Sequence, residues 1–136
     1  MKFAVQGIEP APQGSKTHVG NGIMRESCAR VKPWRYAVSQ AALATGEPMI
    51  TTPVFVQITF IFNRLVSHYN TKGELKKDAP FYKPTRPDLD KLCRSTLDGI
   101  TGVLIKDDSQ VVNLICCKVY AGKGELPGAL ITINQL

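Results

Sequence analysis

The chain has 136 residues, 43% of them apolar and 21% charged, with 17 Lys and Arg against 11 Asp and Glu for a formal charge of +6. This is the size of one ordinary domain, able to bury roughly two-thirds of the surface its unfolded form exposes, too apolar for a disordered chain, and without a run near the ~18–20 apolar residues of a membrane helix. The positive excess points to polyanions, chiefly nucleic acid.

Met1 to Ile8 alternates in polarity, unlike the solid apolar block of a secretion signal. Cys28, Cys93, Cys116 and Cys117 include no C-x-x-C pair and read as small apolar residues in a reducing compartment. A cytoplasmic protein with no membrane partner is expected.

Lys2 to Ile8 has strand character. Glu9 to Asn21, punctuated by Pro10, Pro12, Gly14 and Gly20, reads as a loop, followed by a short strand around Gly22 to Arg25. Arg30 to Ala44 reads as a helix, because Val31, Trp34, Val38, Ala41 and Ala42 fall at helical spacing and Pro33 fits its first turn. Trp34 lies on that stripe and is expected in the core. Pro53 to Asn63 is the clearest strand, with Val54, Val56, Ile58, Phe60 and Phe62 on one face. Phe55 and Ile61 make its second face partly apolar, so a helix is expected over part of that face.

Arg64 to Arg86 is long and polar, with Arg64, Lys72, Lys76, Lys77, Lys83 and Arg86 against Glu74 and Asp78. It reads as a functional or disordered loop holding most of the excess charge. His18 and His68 have no ligand-spaced partner and are expected to face solvent or DNA. Asp88 to Thr101 reads as a second helix, with Leu89, Leu92, Cys93, Thr96, Leu97 and Ile100 on one stripe and Asp88 placed as N-cap. Gln110 to Ala121 is apolar on both faces and reads as a central strand, with Cys116 and Cys117 on opposite faces. Ala129 to Ile133 is the last strand. The order predicts an α+β fold, a small mixed sheet backed by two main helices, in one domain over residues 1–136.

Two acidic pairs carry the candidate chemistry. Asp88 and Asp90 open the second helix, and Asp107 and Asp108 precede the long apolar strand. The turn between Ile100 and Lys106 is expected to bring the second pair back toward the first. Clustered carboxylates repel each other unless a cation neutralises them. Oxygen-only ligands favour Mg²⁺, with Mn²⁺ as a substitute, and such metals serve phosphodiester hydrolysis. Each acid also has a structural reading: Asp88 as a cap, Asp90 as support for the helix dipole, Arg94 as the centre of an ion-pair ladder with Asp90 and Asp98, and Asp107–Asp108–Ser109 as a surface turn.

The segments Arg86-Pro87-Asp88-Leu89-Asp90-Lys91-Leu92, Leu97-Asp98-Gly99-Ile100 and Lys106-Asp107-Asp108-Ser109-Gln110-Val111 resemble the core motif of the RusA family of Holliday junction resolvases. Pro10-Ala11-Pro12-Gln13-Gly14-Ser15-Lys16 resembles its proline-rich, basic first loop. The resemblance implies that Asp88, Asp90 and Asp108 are catalytic and bind Mg²⁺, with Asp107 beside them. The family's lysine falls at Arg94 and its asparagine at Lys91, so both departures stand at positions of catalytic interest. Arg94 keeps the charge but does not readily release a proton.

The resulting expectation is a homodimeric, Mg²⁺-dependent endodeoxyribonuclease that resolves four-way DNA junctions by paired cuts. Lys16, Lys72, Lys76, Lys77, Lys83 and Arg86 are the expected DNA contacts. The alternatives are a nuclease of the same fold acting on other branched DNA, and a non-catalytic basic nucleic-acid-binding protein.

Overall fold

The computed structural model describes residues 1–14 and 28–136, together with the backbone of two short strands at 16–18 and 24–26. The chain runs β1 (Lys2–Gln6), β2 (Lys16–His18), β3 (Met24–Glu26), α1 (Val31–Ala44), β4 (Val54–Phe62), α2 (Leu89–Ile100), β5 (Val111–Tyr120) and β6 (Gly128–Gln135). The main sheet has the order β1-β6-β4-β5; β4 and β5 are parallel and the other pairs antiparallel. This is the expected α+β fold with a mixed sheet. No helix among the described residues is long and apolar enough to cross a membrane.

The alternation in β4 builds the core. Val54, Val56, Ile58 and Phe60 are fully buried and pack with Trp34 and Val38 of α1 and Leu92 and Ile100 of α2. Each such side chain contributes about 1.5–3 kcal/mol on burial. Trp34 is in the core, as its helical spacing predicts, and its indole Nε1 donates to Thr96 Oγ1 at 3.1 Å, tying α1 to α2. The two helices are in tight contact at Gly99, where an added Cβ would lie 2.8 Å from both Val38 Cβ and Cγ1. Gly99→Ala gains about 1 kcal/mol of helix propensity, but the contact is with a Cβ that cannot rotate away. A net loss of about 1–2 kcal/mol is expected, read as a melting temperature lower by on the order of 5 °C.

Three expectations about the strands are corrected. β5 is an edge strand, not a central one. Cys116 on one face meets the helix-side core and Cys117 on the other meets a second cluster of Ile61, Val119 and Ala121, so the opposed thiols are as expected. A two-faced apolar pattern does not by itself give a strand's position in a sheet. Neither helix covers the second face of β4; Ile61 is buried there by strand neighbours. The loop expected over Glu9 to Asn21 contains β2, paired antiparallel with β3, and three-residue strands are too short to show a period. Of the strand expected around Gly22 to Arg25, residues 22 and 23 lie outside the described residues.

The polar stretch 64–86 is folded against β5. Tyr82 bridges to Val119, with Tyr120 N donating to Phe81 O at 2.9 Å and Lys83 N to Lys118 O at 3.1 Å. His68 is buried, not solvent-facing: its ring meets Tyr120 edge-on at 4.6 Å, and its Nδ1 accepts from Leu65 N at 3.3 Å. The side chain of His18 lies outside the described residues.

Candidate active site

Pro87 and Asp88 lead into α2. Asp88 holds the N-cap position with extended backbone (φ −69°, ψ 137°), but its side chain makes no capping hydrogen bond. The carboxylate expected to cap the helix therefore does not do so. Its Oδ2 stands 3.8 Å from Lys91 Nζ, with both side chains well exposed. Asp90, in the first turn of the helix, is exposed as well, and so is Arg94 one turn on.

The first loop is drawn to this end of α2. Gln13 N donates to Lys91 O at 3.0 Å and Ser95 Oγ donates to Ala11 O at 2.6 Å. The result is a cleft of about 420 Å³ lined by Arg30, Arg86, Lys91 and Asp88, with Pro12 and Gly14 on the wall. A cleft lined by three cations is suited to a phosphate. Arg30 was not among the expected contacts, because it precedes a helix far from the acids in sequence.

The second acidic pair is held by Gln110. Its Oε1 accepts from Lys106 N at 2.7 Å and Asp107 N at 2.9 Å, while its Nε2 donates to Ile50 O at 2.8 Å and Thr52 O at 2.9 Å. One amide thus fastens the acidic turn to the segment that enters β4. Asp108 opens a 3-10 turn (Asp108–Gln110) and is exposed. Ser109 Oγ donates to Asp107 Oδ2. That bond holds the Asp107 carboxyl below its ordinary value of 3.8, so it stays ionised at lower pH than a free carboxylate.

The two acidic pairs do not meet within one chain. The reversal after α2 is tight, with Thr101 bridged to Ile105, which leaves Asp107 and Asp108 beside the C-terminal end of α2. β5 then runs back along the helix. Cys116 Sγ shares a 2.8 Å hydrogen bond with Cys93 Sγ, and Lys118 Nζ reaches Pro87 O at 2.8 Å. The Asp88 end and the Asp108 end are thus separated by the length of α2, about 18 Å for its 12 residues. Among the described residues no three acids, histidines or cysteines converge to hold a metal ion. The donor chemistry still suits a hard cation, since every candidate ligand is an exposed carboxylate.

The cations expected at DNA divide into two kinds. Lys72, Lys76, Lys77 and Arg86 are exposed. Lys83 is half-buried, lies over the rings of Phe62 and Tyr120 at 5.4 and 5.3 Å and donates to Thr85 Oγ1, which makes it part of the scaffold. Arg64 is also structural, donating to Ala121 O and Pro80 O at 3.0 and 2.8 Å. The side chain of Lys16 lies outside the described residues. Lys118 is a second residue the sequence reading missed; its signal is that it is the single charge in the apolar run of β5.

The chain matches the family described as Endodeoxyribonuclease RusA over residues 8–134. It is 30% identical, over 141 residues, to the uncharacterized protein YqaN of Bacillus subtilis (strain 168), covering 100% of this chain and 96% of that protein. The uncapped Asp88 in its basic cleft and the Gln110-anchored acidic turn fall inside the matched range. The chain belongs to the RusA family of endodeoxyribonucleases.

Proposed function

We propose that the protein is a Mg²⁺-dependent endonuclease that resolves four-way DNA junctions as a homodimer in the bacterial cytoplasm. The observation that carries this reading is the uncapped Asp88 carboxylate in a cleft lined also by Arg30, Arg86 and Lys91. A helix that only needed capping would use that carboxylate on its own N–H groups. Asp88, Asp90 and Asp108 are the proposed metal ligands, with Asp107 beside them and Mn²⁺ as a substitute metal. A bound divalent ion supplies an activated water and offsets charge on the leaving oxygen. The chain's own part is to bind the phosphate with Arg30, Arg86, Lys91 and Arg94 and to aim the carboxylates.

The separation of the acidic pairs supports the dimer. Among the described residues the ledge 81–83 covers only the far end of β5 and nothing pairs with Val111–Cys117 on that side. Val112, Leu114 and Ile115 are exposed there, by 62%, 41% and 52%. An open apolar edge is a template for another strand. Two copies paired antiparallel along it around a two-fold axis bring the Asp108 end of one copy beside the Asp88 end of the other. One pairing thus completes two sites, each cutting one of two symmetry-related strands.

The deciding experiment incubates the purified protein with a synthetic four-way junction, a flap and a linear duplex, in Mg²⁺ or in chelator. Paired, metal-dependent cuts in the junction are expected. Metal-dependent cutting of the flap alone would favour the other branched substrates. Binding without cutting under all conditions would favour the non-catalytic reading.

Binding is expected to weaken steeply with salt. Changing Lys72, Lys76 and Lys77 together to Ala should reduce the slope of log affinity against log salt by roughly 0.9 per lysine that contacts a phosphate, equally for junction and duplex. An unchanged slope places the phosphate contacts elsewhere, first at Lys16.

A further inference from the structure

We propose that Lys118 is a positioning residue, whose ammonium fixes the backbone turn from which Asp88 projects. Lys118 is half-buried on the edge strand, and its Nζ donates to two carbonyls of the motif's approach, Thr85 O at 2.7 Å and Pro87 O at 2.8 Å. Bonds from a charged donor are roughly twice as strong as neutral ones. The segment has few other means of holding its shape. Pro84 and Pro87 carry no N–H, and the turn precedes the first residue of α2.

Its other end is tied to the same residue. Lys83 N donates to Lys118 O at 3.1 Å, and Lys83 Nζ reaches Thr85 Oγ1 at 3.1 Å. The five residues from 83 to 87 therefore hang on Lys118, by its backbone at one end and by its ammonium at the other. Asp88 follows directly in extended conformation, held by the helix on one side only: its carbonyl accepts from Leu92 N at 3.1 Å, its side chain makes no capping bond, and the turn before it sets the approach; Asp90 rides on the helix and needs no such clamp. Because the ammonium bonds neutral carbonyls, it anchors the turn without neutralising the acid it presents.

The inference deepens the proposed site and rests on it for the cleavage readout alone. Lys118→Met keeps the apolar stem and removes the donors. Hydrogen exchange of the Lys83 and Leu92 amides, which donate to Lys118 O and Asp88 O at the two ends of the turn, is expected to quicken at least ~10-fold while the rest of α2 stays protected. Cleavage of a four-way junction in Mg²⁺ should fall on the order of 10²-fold, with junction affinity in chelator near that of the parent. Lys118→Arg, which keeps charge and donors, should restore the protection and part of the rate. Should Lys118→Met not fold, Lys118→Leu, which likewise has no donor, carries the same comparison. Exchange at Lys83 and Leu92 that is unchanged, or that quickens while cleavage stays at the parent rate, overturns the proposal. If the parent cuts no junction, the endonuclease reading fails, and exchange alone decides the clamp: quickened exchange supports it and unchanged exchange overturns it.

Discussion

Asp90→Asn is expected to lower junction cleavage at least ~10³-fold, equivalent to about 4 kcal/mol of transition-state stabilisation. The substitution nearly preserves shape while removing one ligand charge. Junction affinity measured in Ca²⁺ should hold or tighten, because repulsion between carboxylate and phosphate falls. The metal-free protein should melt no lower than the parent. If Asp90 served only the helix dipole and an ion pair with Arg94, the outcome would differ: a loss of a few tenths to about 1 kcal/mol of stability, with cleavage kept. Melting temperature, affinity and cleavage of this one variant separate the two. A variant that still cuts near the parent rate would remove Asp90 from the site.

Mixing two inactive variants should restore activity. Asp88→Asn and Asp108→Asn are each expected to be inactive as pure dimers. If each site takes Asp88 from one copy and Asp108 from the other, a mixed dimer has one site with both changes and one site with neither. Subunit exchange in an equimolar mixture makes about half the dimers mixed, and these should nick junctions, cutting one strand without the paired second cut. Recovery from background to a sizeable fraction of the parent nicking rate is the expected reading. If all the acids of a site came from one chain, every mixed dimer would carry two defective sites and nothing would recover. Asp88→Asn mixed with Asp90→Asn is the control, since both acids sit at the same end of α2 and no mixture of them rebuilds a site.

Short-range periodicity made much of the fold legible. The two-residue alternation of β4 and the apolar stripes of α1 and α2 report local burial, and local burial is what a core imposes on each element. The acids were legible for a different reason: carboxylates at this spacing are costly without a cation, and their pattern matches a family motif. What misled was the inference from pattern to place. β5 looked central because both faces are apolar, yet part of that surface packs under α2, part lies beneath the ledge 81–83, and part is exposed. Lys83 and Arg64 looked like free charge, yet their side chains are engaged with rings and carbonyls of the scaffold.

Local sequence specifies which residues form the helices and the long strands, the α+β class, and the four acids with the family they resemble. These rest on interactions within a few residues of one another. The tertiary structure decided everything that depends on contacts between distant segments. It turned Arg30 and the first loop toward Asp88, bound Lys118 to the carbonyls ahead of α2, and set Asp88 and Asp108 at opposite ends of the helix. Sequence spacing bounds how far apart two acids can be but not the direction in which the chain returns. Here the tight reversal at Thr101–Ile105 and the parallel placement of β5 beside β4 fix that direction.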